Sequence, residues 1–194
     1  MNFLAHSFLS GQNNFILIGN FIGDFVKGKQ HETYQKEIQQ GILLHRFIDS
    51  FTDNSAITKE SKKIFASVYG KYAGIIVDII YDHCLSVHWN SYTHVPRKLF
   101  IAHVYKTLSV YHHILPLRAQ QLIISIIHHN WMQYYVSFYG IKTVLQKMAT
   151  RTTLPEHSDE CVQILRDNYA ILNEQFQEFF HSILLELNFT TTKT

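Results

Sequence analysis

The sequence predicts an all-α fold, a single-domain bundle of about eight or nine helices. Three observations carry that reading. Apolar residues recur at helical spacing along most of the chain, and no segment sustains the period-two alternation of a half-buried strand. No Asn-Gly or Asp-Gly hairpin dipeptide occurs. Only three prolines, Pro96, Pro116 and Pro155, interrupt 194 residues, and each falls where a helix would open or a loop would run. An apolar fraction of 46% over this length suits one domain, spanning 1–194, with a substantial core.

Taken in order, a short first helix over 2–10 carries His6. A second over 13–27 is mostly apolar and stops at Gly28. Its Gly19 and Gly23 lie four apart on one side, which predicts close approach of another backbone and would bring Asp24 inward. The third, 31–51, contains Gly41-Ile-Leu-Leu-His-Arg-Phe-Ile-Asp-Ser-Phe-Thr-Asp53. Ser55 caps the fourth, which runs to Tyr69 with an exposed face of Lys59, Glu60, Lys62 and Lys63. Gly70 ends it. The fifth, 71–90, is again mostly apolar. Pro96 and Pro116 open the sixth and seventh, to about 113 and 135. An eighth covers 140–150, and a long last helix covers 158–187, with 188–194 expected to fray.

The net charge of +2 leaves no strong nucleic-acid footprint and is compatible with an acidic partner. Two isolated cysteines, Cys84 and Cys161, read as buried thiols. The first residues lack the basic and apolar regions of a signal peptide, and no apolar run reaches about 18 residues. A cytoplasmic protein without a membrane segment is therefore expected.

Four segments share one anomaly, a titratable side chain set in apolar sequence: His6; Asp24; the pair His45 and Asp49; and the group Asp78, Asp82 and His83. His45 and Asp49 lie one turn apart and share a face. Carboxylates are seldom buried unless paired or bound to metal. Either these helices solve an ion-pair problem in the core, or they present ligands to a cation. Arg46 is the one obvious basic partner within these segments, too few for the set, whereas a divalent metal would supply the missing positive charge. Mixed imidazole and carboxylate ligands suit Mn, Fe, Mg or Zn.

The segments Met-Asn-Phe-Leu-Ala-His6, Gly19-Asn-Phe-Ile-Gly-Asp24-Phe-Val-Lys-Gly28, His45-Arg-Phe-Ile-Asp49-Ser-Phe-Thr-Asp53 and Asp78-Ile-Ile-Tyr-Asp82-His83-Cys-Leu-Ser-Val-His88-Trp89 resemble the acyl carrier protein phosphodiesterase family in order and spacing. Trp131 to Tyr135 and Val144 to Arg151 fit more loosely. The resemblance implies removal of 4′-phosphopantetheine from holo acyl carrier protein, dependence on a divalent cation (manganese by preference) and a distant relation to the all-helical HD phosphohydrolases. This chain departs from that wider group in lacking an adjacent His-Asp dipeptide; only the reversed Asp82-His83 occurs.

On this reading Asp24, His45 and Asp82 are metal ligands. His6 and His83 are ligands or the general acid, and Asp49 is a ligand or orients His45. Asp78 could play a similar supporting part. Asp53 reads as a helix-end cap, while His88 and Trp89 pack or line a rim. Arg46 and Arg151 could hold phosphate through bidentate hydrogen bonds, and Lys27 and Lys29 could dock the carrier protein. The rival readings are a phosphohydrolase acting on a nucleotide or small phosphodiester, and a non-catalytic helical protein that binds metal or carrier protein.

Overall fold

The computed structural model describes residues 1–188. The expected frayed tail therefore lies, apart from Asn188, outside the described residues. Among these, the chain is all-α, with no strand. The helices are α1 (Phe3–Leu9), α2 (Asn14–Ile22), α3 (Lys36–Asn54), α4 (Ala56–Tyr69), α5 (Ala73–Val87), α6 (Trp89–Tyr92), α7 (Arg97–Val110), α8 (Leu117–His128), α9 (Trp131–Tyr134), α10 (Phe138–Ala149), α11 (Ser158–Asp167) and α12 (Tyr169–Glu186).

Twelve helices replace the expected eight or nine because three long ones are broken. The fifth divides at His88 into α5 and α6, and the last divides at Asn168 into α11 and α12. Asn168 turns its side-chain amide back to the Ile164 carbonyl, a local bond that competes with helix continuation. The seventh divides before α9 at Asn130, whose φ of 51° is left-handed, a conformation asparagine tolerates better than most residues. The second helix tightens instead into a 3₁₀ turn at Gly23–Phe25, and a further 3₁₀ segment, Gly28–Thr33, delays the start of α3. Ser55 caps α4 as expected, accepting from the Thr58 amide, and Gly70 ends it at φ 50°.

Helix α5 lies at the centre. Its Ile76, Val77, Ile79, Ile80, Tyr81 and Leu85 are all buried, and it packs on α1, α4, α10 and α12. Phe176 and Phe179 of α12 pack beside Tyr81, and Phe180 packs on Phe8 and Tyr92. The helical stretch Ala56–Val87 passes for a membrane span by length and mean hydropathy alone, although charged residues interrupt it. The chain turns at Gly70, however, and α4 and α5 pack on each other, so their apolar residues serve this core.

Helices α2 and α3 cross at backbone contact. A Cβ on Gly19 would come within 2.1 Å of the Ile38 carbonyl oxygen, and one on Gly41 within 2.2 Å of the Ile16 carbonyl oxygen. The close approach predicted from the glycine pair thus exists, with Gly41 as its counterpart on α3. Gly19→Ala should drive the helices apart and cost about 1–3 kcal/mol, the range for overpacking, measurable by denaturant unfolding.

Candidate metal site in the helix cleft

Three neighbouring elements deliver the polar cluster. Helix α1 presents His6, the 3₁₀ turn after α2 presents Asp24, and α3 presents His45 and Asp49 one turn apart. His45 Nε2 lies 3.4 Å from Asp24 Oδ1 and 3.1 Å from Asp49 Oδ2, and His6 Nε2 lies 3.2 Å from Asp49 Oδ1. The two imidazoles sit 4.5 Å apart, centre to centre. Gly23 makes room for the His45 ring, since a Cβ there would fall 2.2 Å from its Cγ. The second glycine of the pair therefore accommodates a side chain rather than a backbone.

Asn20 fixes the orientation of His6. Its Nδ2 donates to the His6 carbonyl and to Ser10 Oγ, both at 2.9 Å, which turns Oδ1 towards His6 Nδ1 at 2.8 Å. The Nδ1 atom then carries the proton, and the Nε2 lone pair faces Asp49. Sequence reasoning passed over Asn20, although an amide inside Leu17-Ile-Gly-Asn-Phe-Ile22 carried the same signal as the other polar interruptions.

The electrostatics are those of a site short of positive charge. Burial lowers the pKa of His6, so it is neutral at physiological pH. Burial also works against a charged His45, but Asp24 and Asp49 outweigh it and raise the imidazole to about 9. Burial would raise Asp49, yet the contact with His45 holds it far below the ordinary carboxylate range. Contact with His45 lowers Asp24 as well.

Neither nitrogen of His45 has a hydrogen-bond partner, despite burial and two carboxylates at ion-pair distance. Ligand atoms of Asp24, His45 and Asp49 all lie within 4.8 Å of one another, an arrangement compatible with a divalent cation. Asp24 does not enter the interior as expected; its side chain is 71% exposed, which places it at the mouth.

The cluster opens into a cleft of about 520 Å³. One wall comes from α1 to α3, with Ile75 and Asp78 of α5. The other comes from Leu122, Ser125, Trp131, Met148, Arg151 and Thr152, so Arg151 reaches the cleft, where its guanidinium donates to Ser125 Oγ.

The other expected site residues make contacts of their own, although Asp53 and Asp78 also line the cleft. Asp82 is fully buried and accepts from the backbone amides of Asn2, Leu4 and Ala5 at 3.2, 2.8 and 3.1 Å. Its carboxylate thus caps the start of α1, whose unpaired amides attract negative charge, and it is not brought to the His–Asp cluster. Its neighbour His83 points into the core. There its Nδ1 meets the Tyr135 carbonyl oxygen at 2.7 Å, between the Phe138 and Tyr169 rings, and it does not line the cleft.

Arg46 donates to the carbonyls of Val26 and Gly28, both at 2.9 Å, so this amino group secures the loop behind Asp24 rather than a phosphate. Lys27 and Lys29 lie exposed on that loop. Asp53 sits within α3 and pairs with Lys62 at 2.9 Å, in place of the expected cap. Asp78 pairs with the terminal ammonium of Met1 at 2.8 Å. Trp89 packs on Phe8 and Phe100, and His88 meets Asn173.

The family model described as acyl carrier protein phosphodiesterase matches residues 1–183. The chain belongs to the acyl carrier protein phosphodiesterase family. It is similar to proteins of that name from Yersinia pestis (30% identical, covering 95% of this chain and 96% of the relative) and Klebsiella pneumoniae (32%, 95% and 96%). A third, from Photorhabdus laumondii, is 31% identical over 93% of this chain and 91% of its own. No solved structure matches the chain, so the implied relation to HD phosphohydrolases has no support from that comparison. Every residue of the His–Asp cluster, together with Trp131 and Arg151, lies inside the region matched by the family model.

Proposed function

We propose that this chain is a metal-dependent phosphodiesterase that removes 4′-phosphopantetheine from holo acyl carrier protein and leaves the apo carrier. The observation that carries the proposal is the convergence of His45, Asp24 and Asp49 ligand atoms within 4.8 Å of one another at an open cleft, in a chain of this family.

Asp24, His45 and Asp49 would hold the cation, with His6 beside them. Manganese is our first choice on the family resemblance, and Mg, Fe or Zn also suit this donor set. When bound, the cation supplies positive charge to the phosphate oxygens and acidifies water. His6 does the proton work. Its Nε2 lone pair faces the cluster, so it can take a proton from the attacking water. As oxygen bonds to phosphorus, the bond to the carrier serine breaks, and His6 returns the proton to the serine oxygen. Arg151, in the opposite wall, is placed to hold a phosphate oxygen.

Lys27 and Lys29 are proposed to dock the acidic carrier, where opposite charge speeds encounter and fixes register. Charge reversal at both should lower turnover of holo carrier and its salt sensitivity, while hydrolysis of a small activated phosphodiester stays nearly unchanged. Equal loss on both substrates would place these lysines in the support of the site. The reading puts the enzyme in the cytoplasm, and two buried free thiols, Cys84 and Cys161, fit a reducing compartment.

Intact-mass analysis of holo carrier incubated with the protein and manganese tests the activity. The expected result is apo carrier plus free 4′-phosphopantetheine, arrested by chelator. Turnover of nucleotides or small diesters without turnover of holo carrier would reject this substrate. Metal binding should also release protons. His45 is raised to about 9, so at pH 7.5 it is protonated before metal binds and must lose that proton to become a ligand. Calorimetric titration with manganese in buffers of differing ionisation enthalpy should show about one proton released per ion at pH 7.5 and fewer as pH rises past 9.

A further inference from the structure

Charge is unevenly spread along this chain. Between Asp82 and Glu156 it has seven lysines and arginines and no carboxylate, while all 15 aspartates and glutamates share the remainder with the other ten cationic residues. The carboxylate-free stretch folds into the end of α5 and into α6 to α10, and it supplies the whole second wall of the cleft. The two sides of the cleft therefore differ in sign. Asp24, Asp49, Asp53 and Asp78 stand on the first, and Arg151 stands on the second.

Helix α8 forms the lip of that second wall. Its Ala119, Ile123 and Ile126 are buried, and it packs on α7 and α9, which belong to the same carboxylate-free stretch. Leu122 and Ser125 line the cleft. Arg118, four residues before Leu122 and seven before Ser125, shares their side of the helix. It is exposed and makes no ion pair among the described residues, whereas Lys142 in α10 is held by Asp159. Leu117 and Ile124, also seven residues apart, are 70% and 60% exposed and form the adjoining outer face with Gln121.

Single exposed apolar side chains are ordinary. Here two share one helix face, beside an unpaired guanidinium and against the cleft. That is the make-up of a protein contact, apolar at its centre and charged at its rim. The occupant follows from what the cleft acts on. A phosphodiester borne on a protein brings that protein's surface down on the lips of the cleft, so α8 is covered while the site is in use. Charge complementarity calls for an acidic partner, since α7, α8 and α9 hold no carboxylate to repel it. A nucleic acid would match the charge but leave Leu117 and Ile124 in water.

We propose that the outer face of α8, formed by Leu117, Arg118, Gln121 and Ile124, docks the acidic carrier protein beside its modified serine. This inference rests on the function proposed above. Lys27 and Lys29 then meet the carrier from the first wall and α8 meets it from the second, so that the arm is led into the cleft between them.

The test uses Arg118→Glu and, separately, Leu117→Ser combined with Ile124→Ser. All three side chains are exposed, and an unchanged Tm confirms the fold. Binding of apo carrier, which has no arm, is measured by calorimetry, and turnover is measured on holo carrier and on bis(p-nitrophenyl) phosphate. The expected result for each variant is about a tenfold weaker Kd for apo carrier and a matching rise in KM for holo carrier, the order expected for one interface contact. The kcat and the hydrolysis of the small diester should stay within about twofold, and added salt should narrow the gap for Arg118→Glu. Unchanged carrier binding in both variants would overturn the inference. So would equal loss on both substrates, which would make α8 a support for the site. Flotation with vesicles of phosphatidylglycerol and phosphatidylethanolamine covers the other anionic surface. Vesicle binding lost in these variants, with carrier binding intact, would overturn the inference in favour of a membrane face. If the wild-type protein binds apo carrier through α8 yet leaves holo carrier untouched, the proposed activity fails and the docking surface stands. Neither turnover nor carrier binding by wild type would remove both.

Discussion

Asp49→Asn should lower turnover of holo carrier by roughly 10³-fold or more. The expectation follows from geometry, because Asp49 touches both imidazoles of the cluster, His45 at 3.1 Å and His6 at 3.2 Å. The charge it contributes to a cation site is worth several kcal/mol in the transition state, which converts to that factor. Manganese affinity should fall with it. The fold should survive, since the side chain is 45% exposed and sits on the cleft surface. Rapid-quench turnover and a manganese titration check the two effects together. Near-normal turnover would remove Asp49 from the site.

Asp82→Ala should act through stability instead. Its carboxylate accepts three backbone amides at the start of α1, and deletion leaves them without a partner. Buried unpaired donors cost about 1–3 kcal/mol each, so a total of roughly 3 kcal/mol or more is expected, with a fall in Tm on the order of 10 °C. Activity should drop as a consequence, because α1 carries His6. Lower temperature or bound manganese should restore part of it, which would not happen for a lost metal ligand. The pH dependence has a definite sign. Burial raises Asp82 to about 7, against the opposing pull of the three amides and the terminal ammonium, from an ordinary value of 3.8. The folded state therefore binds more protons than the unfolded one between those values. This contribution to stability is fully present below pH 4 and is lost as pH rises through 7. Asp82→Asn should flatten that part of the Tm profile.

The contrast between these two aspartates shows what the chain reveals before it is folded. Both interrupt apolar helices, and both looked like ligands. The interruption itself was legible, because a carboxylate in apolar sequence must find compensation. What compensates it depends on which element packs against that face. Asp49 faces two imidazoles, whereas Asp82 faces the bare amides of another helix's first turn, some 80 residues away in sequence. No local pattern separates these cases. His83 misled for the same reason, since adjacency to Asp82 turned it into the core. The glycines were legible as a demand for space, but the occupant, backbone at Gly19 and the His45 ring at Gly23, required the tertiary contact. Helix existence followed from periodicity. Breaks at His88, Asn130 and Asn168 did not, because no proline or glycine marks them; a left-handed asparagine makes the turn at Asn130 and a local side-chain bond makes it at Asn168.

In the proposed site, His45, Asp24 and Asp49 hold one catalytic cation, with His6 alongside. Anomalous diffraction from crystals soaked in manganese tests it most directly. The account predicts a peak within about 2.0–2.3 Å of a His45 ring nitrogen and of carboxylate oxygens from Asp24 and Asp49. A peak beside Asp82 and His83, or no peak at the cluster under saturating manganese, would contradict it.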